Sequence, residues 1–205
     1  MWAEKSVTKG INILDKIAQT TGAPSALYEL CDYYWENNDF KKMLKYAGMF
    51  EDRNTKNIFE AIAYYNLQDY FMALNRLDHA DPEDNLRTDL PAQYYGIKGE
   101  IYEKGLGCTP NYDKAYECYQ GLVKHNSRWG YACLGDFFSN NLCEYKNYET
   151  AFKYYTLGAN NDSGYCCAQL ALFYKYGIAT QQSDSMAQTY KQKAQSLGMD
   201  VSNLF

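Results

Sequence analysis

The chain has 205 residues, 46% of them hydrophobic and 22% charged, with a formal net charge of -5 and a sequence pI near 5.1. That balance describes a folded globular chain, excludes a disordered one, and lacks the basic footprint of a nucleic-acid binder. No run approaches the roughly 18 uninterrupted apolar residues of a membrane span, and nothing near Met1 joins a basic head to an apolar stretch, so a cytoplasmic protein with no membrane insertion is the expectation.

In chain order, the first periodic segment is GINILDKIAQTTGA, residues 10 to 23, which reads as one leading helix. Residues 25 to 47, SALYELCDYYWENNDFKKMLKYA, read as a pair of helices, and residues 56 to 82 as a second pair. DPEDNLRTDL, residues 81 to 90, then lengthens one connection and is the plausible break between subregions.

From residue 91 to 199 the chain matches itself in three copies at a gapless offset of 36 residues. Gly99 falls on Gly135 and Ala171, Tyr102 on Phe138 and Tyr174, Gly105 on Asn141 and Gly177, Ala115 on Ala151 and Ala187, and Cys118 on Tyr154 and Tyr190. The first half of a copy spaces its small and apolar residues as a helix does, as in Tyr131, Leu134, Gly135 and Phe138. The second half does the same with Ala151, Tyr154 and Gly158, so each copy is two helices joined by a turn. Small residues at 99, 135 and 171 let helices approach closely while the bulky residue three positions on fills the space beside them. Gly105 and Gly177 stand where a helix ends in a left-handed residue, with Asn141 the usual second choice. A phosphate-binding loop would follow a strand and carry lysine where Leu106 stands; Gly105 and Gly107 follow a helix, so their role is structural.

These residues resemble the Sel-one-like repeat family, a relative of the tetratricopeptide repeat, through CLGDFF, YEKGLG, DKAYECY and ETAFKYYTLGA. Residues 56 to 82 resemble a tetratricopeptide unit with Ala61, Tyr64, Ala73, Leu77 and Ala80 at its signature positions, and residues 25 to 47 a more degenerate one. The departures are Lys98 at a leucine position, Asn141 and Cys143 in place of two glycines, and a last copy without the aromatic pair. The resemblance implies an all-α fold over residues 1–205: an α-solenoid of stacked antiparallel helix pairs in a right-handed superhelix of about eleven helices. Residues 1–80 supply the leading helix and two tetratricopeptide-like units, and 91–199 the three Sel-one-like repeats. No pair buries its apolar face alone, so the pairs must stack.

Reactive chemistry is sparse. His79 and His125 have no cysteine or carboxylate at a spacing that marks a triad or metal site, and no cofactor or metal is expected. The seven cysteines, Cys31, Cys108, Cys118, Cys133, Cys143, Cys166 and Cys167, contain no C-x-x-C pair and imply free thiols in a reducing compartment. A cysteine-rich branch of the resembled family cross-links its repeats, but cysteine does not recur here at the period of 36. Adjacent Cys166 and Cys167 point to different sides of a helix, one packed and one a candidate for exposure, with a buried small hydrophobe as the default reading of both.

The resemblance also places partners on the concave surface made by the first helix of each pair. Carried over residue by residue, that surface holds Tyr28, Asp32, Trp35 and Glu36, then Ile62, Tyr65 and Asn66, then Glu100 and Glu103, then Trp129 and Asp136, then Tyr165 and Leu172. Its only evident cations are Lys104 and Lys175. Packing and ordinary solvation explain any one of these positions; together, aromatics beside carboxylates suit a peptide bearing lysine or arginine. The expectation is a non-catalytic adaptor or scaffold that binds a protein or peptide partner, preferably a basic one. The alternatives are an inhibitor or immunity-type protein that neutralises a basic enzyme, and a hydrolase with a cysteine nucleophile.

Overall fold

Asn111, Asn147 and Ser183 stand 36 residues apart, and each side chain accepts the backbone N–H three residues on, from Lys114, Thr150 and Met186 at 3.0, 2.9 and 3.2 Å. A side-chain acceptor there satisfies one of the orphan donors of a first helical turn, so the period of the sequence is also the period of helix starts. The computed structural model describes residues 2–84, 87–125, 127–140 and 145–205, with side chains from residue 7 onward, and these residues contain helices and no strand. The helices are α1 (Trp2–Thr21), α2 (Pro24–Glu36), α3 (Phe40–Ala47), α4 (Arg53–Asn66), α5 (Tyr70–Asp78), α6 (Leu90–Lys104), α7 (Tyr112–Lys124), α8 (Arg128–Ser139), α9 (Tyr148–Asn160), α10 (Gly164–Tyr176) and α11 (Asp184–Ser196). They are one leading helix and five pairs, the architecture of an α-solenoid built from helix hairpins.

Helix ends follow the local chemistry. Gly105 and Gly177 close α6 and α10 in the left-handed region, with φ of 66° and 65°, and their N–H groups return to the carbonyls of Ile101 and Phe173. Asn141 and Cys143, the counterparts in the middle copy, lie outside the described residues. A second hairpin turn recurs between α2 and α3 and between α4 and α5. Asn38 and Gln68 take φ of 57° and 63°, and the aspartate after each, Asp39 or Asp69, caps the next helix. Pro24 and Pro91 sit in the first turns of α2 and α6, where no N–H is needed.

Two compact units result, Met1–Pro110 and Asn111–Phe205. In the first, each helix from α1 to α5 packs on the next, and α6 lies on α4 and α5. Leu27, Leu30, Ile58, Phe59, Leu77 and Ile101 are wholly buried there, each such side chain contributing about 1.5–3 kcal/mol of hydrophobic stabilisation. The connection 81–90 belongs to this unit. Asp81 N–H donates to the Asn54 side chain at 3.0 Å, and the Asn54 amide donates to Asp84 at 2.6 Å.

In the second unit α7 packs on α8, α8 on α9, α9 on α10 and α10 on α11, and the first helices α8 and α10 also touch. The abundant tyrosine has its place here. Phe138 stacks on Tyr154 with 5.7 Å between centroids, and 36 residues later Tyr174 stacks on Tyr190 at 5.5 Å. The aromatic of each first helix thus lies flat on that of its second helix.

Candidate partner-binding site

Trp129 and Asp136 are seven residues apart on α8, two turns along one face, and Tyr165 opens α10 one residue after its start. Packing of α8 against α10 brings the three together. The Asp136 carboxylate accepts hydrogen bonds from the Tyr155 hydroxyl of α9 at 2.7 Å and from the Tyr165 hydroxyl at 2.9 and 3.0 Å. Ser139 Oγ lies 3.1 Å from the Tyr155 hydroxyl and completes the network. Burial, reinforced by the negative Asp136, pushes the ionisation of both phenols well above the usual tyrosine range. They therefore stay neutral donors and tie Asp136 of α8 to α9 and α10.

Above this network an open cleft of about 560 Å3 is lined by Arg128, Trp129, Asp136, Asp162, Tyr165 and Leu197, among others. Trp129 is 45% exposed and offers an indole ring to whatever enters. Arg128 reaches back toward the Asp162 carbonyl at 3.5 Å, and Lys193 stands 3.7 Å from the Asp162 carboxylate. Indole face, carboxylates and hydroxyls around one opening can hold a cationic side chain through cation–π and ionic contacts.

The first unit distributes its candidates differently. Tyr28 is half-buried, its hydroxyl 3.3 Å from Thr55 Oγ1. Asp32 is taken by Arg87, whose guanidinium donates to both carboxylate oxygens at 2.6 and 3.0 Å. Trp35 packs partly against the core, and Glu36 is exposed. Tyr65 is half-buried against Tyr70; burial and then its hydrogen bond to Glu100 push its ionisation up, which joins α4 to α6. Glu100 also pairs with Lys104 on its own helix, where Glu103 is half-buried. The Asn66 amide donates to the Ile62 carbonyl on its own helix at 2.7 Å.

Two expectations, on Ile62 and on the cations, need correction. Ile62 is buried, 1% exposed, because α4 is covered on both sides by α3, α5 and α6. Cys166 and Cys167 are both fully buried, in line with the default reading of each, since α10 packs against α8, α9 and α11 and leaves neither side of its first turn to solvent. Cations are also more prominent than Lys104 and Lys175: Arg87 covers Asp32 and Arg128 lines the cleft. Lys175 itself pairs with Asp184 at 2.8 Å. The residues missed in the cleft, Arg128, Asp162 and Leu197, lie at helix ends and turns, off the helical face that the repeat pattern marks. Arg128 beside Trp129 was the available signal. Arg87 lies in a connection with no periodicity, which carries none.

The buried thiols of Cys31, Cys166 and Cys167 are poor nucleophiles. Burial raises Cys31 to about 12 and Cys166 to about 11, and raises Cys167 as well, so the reactive thiolate is scarce at neutral pH. Nδ1 of His79 lies 2.7 Å from the Asn75 carbonyl. Among the described residues no three His, Cys, Asp or Glu side chains are grouped to hold a metal ion, and no described helix is long and apolar enough to cross a membrane.

Stacked helix hairpins with a cleft between successive first helices define a helical-repeat scaffold. Two solved structures similar to this chain have the Sel1 repeat (SLR) fold. One is c5321, a protective antigen of uropathogenic Escherichia coli displaying an SLR fold, with a TM-score of 0.70 and 18% identity over 92% of this chain. Another is a Sel1 repeat protein from Oxalobacter formigenes, with a TM-score of 0.66, 18% identity, and coverage of 96% of this chain and 82% of that one. The present chain spans 41% of the length of c5321. No family model and no curated protein matches the sequence. The chain has the Sel1-like repeat fold.

Proposed function

We propose that this protein is a non-catalytic interaction module that binds a peptide or protein partner on the first-helix faces of its repeats, with the Trp129–Asp136–Tyr165 cleft as a principal contact. The observation that carries this reading is the convergence of those three residues, 29 positions apart between Asp136 and Tyr165, on one open cleft. A partly exposed tryptophan at the mouth of a preformed pocket is the kind of anchor around which interfaces concentrate their energy. A rigid tyrosine–aspartate floor removes part of the ordering cost of binding. The carboxylates of Asp136 and Asp162 and the net charge of -5 favour a basic segment over an acidic one.

The test is a titration of the full chain, and of its Trp129→Ala variant, against peptides of equal length graded from acidic to basic. Binding that rises with peptide basicity and drops at least about tenfold in the variant, a loss of roughly 1.4 kcal/mol, is the expected result. Equal binding by the two chains would remove the cleft from the mechanism.

A further inference from the structure

Arg87 is held in a manner unusual for a residue of a surface connection. Its Nη1 and Nη2 face the two oxygens of Asp32 at 2.6 and 3.0 Å, while its Nε and Nη2 face those of Asp89 at 2.7 Å each. The guanidinium carbon lies 5.1 Å from the centroid of the Tyr28 ring and 5.5 Å from that of Phe59. Two edges of a planar cation are thus read by two carboxylates while two aromatic rings lie within cation–π range of it. Fork geometry of this kind distinguishes arginine from lysine, whose ammonium is a point charge.

The surroundings are built for that cation. Phe59 is wholly buried and stacks on Phe50, and Tyr28 leans on both rings, so the aromatic floor belongs to the core of the first unit. Asp89 is the residue before α6, where an aspartate normally caps the helix, as Asp39, Asp52 and Asp69 do for α3, α4 and α5. Asp89 makes no side-chain cap; its carboxylate is committed to the guanidinium instead. The site also opens outward, with the Arg87 and Asp32 side chains 29% and 37% exposed.

We propose that Tyr28, Phe59, Asp32 and Asp89 form an arginine-binding box, filled in the isolated chain by Arg87 and taken by an arginine side chain of the partner segment once Arg87 withdraws. Arg87 is then a tethered competitor: a partner must displace it, and the chain discriminates against basic segments that carry only lysine. This rests on the reading that first-helix faces bind a partner, since Tyr28 and Asp32 lie on α2. A tethered occupant that fills the box nine-tenths of the time weakens the apparent affinity about tenfold.

The experiment uses the full chain and two fluorescein-labelled peptides of equal length and charge, one with four arginines and one with four lysines. Arg87→Ala is expected to bind the arginine peptide about tenfold more tightly than the wild-type chain does, with no comparable gain for the lysine peptide. Adding Asp32→Asn to Arg87→Ala is expected to abolish the gain. No gain, or an equal gain for both peptides, overturns the proposal; equal gains would report only the loss of one positive charge. If Arg87→Ala does not fold, Arg87→Lys, which keeps a cation over the rings but loses the fork, replaces it in the same titrations, where a gain confined to the arginine peptide supports the box and any other result overturns it. A negative result at Trp129 would count against the cleft and leave this outcome readable, because the box is probed with defined peptides through its own variants.

Discussion

Gly135 of α8 faces the ring of Tyr155 on α9 so closely that a Cβ at position 135 would come within 2.3 Å of Cε1 and 2.5 Å of Cδ1. Tyr155 cannot retreat, because it is 1% exposed and its hydroxyl is bonded to Asp136. Gly135→Ala should therefore cost about 2 kcal/mol, overpacking outweighing the gain in helix propensity. Gly10, within α1, has nothing within 4 Å of its added Cβ, so Gly10→Ala should stabilise by about 0.5–1 kcal/mol. Urea unfolding of the two variants, with the same chemical change and opposite signs, checks the pair.

Ala179 holds φ of 54° in the turn after α10, two repeat lengths beyond Gly107, which has φ of 69°. An alanine there sits in the left-handed region at a cost of about 1–2 kcal/mol, against about 0.4–1 kcal/mol for the extra freedom glycine brings to the unfolded chain. Ala179→Gly should raise stability by about 0.5–1 kcal/mol, visible as an increase in Tm.

Asp136 ties α8 to α9 and α10 through two phenolic donors. Asp136→Ala should cost about 3 kcal/mol, whereas Tyr165→Phe, which leaves the Tyr155 bond in place, should cost about 1 kcal/mol. Chemical denaturation gives both values, and the order of the two is the sharper check.

Cys31 has a folded-state ionisation near 12 against an ordinary 9.0. The folded state therefore keeps a proton that the unfolded state gives up. The associated stability is complete below pH 9 and is lost as pH rises toward 12, with a slope of about 1.4 kcal/mol per pH unit from this thiol alone. Measured between pH 9.5 and 11, the fall in unfolding free energy should be shallower by roughly that slope in Cys31→Ala, whatever the variant's stability at neutral pH.

Much of the fold is written in local periodicity. Spacing alone identifies the hairpins from 91 to 199, the left-handed ends at Gly105 and Gly177, and the small residue at 135, because each is a rule about neighbours three, four or 36 positions away. The grouping of Trp129 with Asp136 was legible in the same way, both lying on one helix face. Tertiary structure alone decided the rest. It seated Arg87 on Asp32, 55 residues away, and made Asp136 a shared acceptor for Tyr155 and Tyr165. Those outcomes depend on which non-periodic residue of a connection or turn meets which helix face. Helical spacing constrains the faces and says nothing about what the connections lay across them.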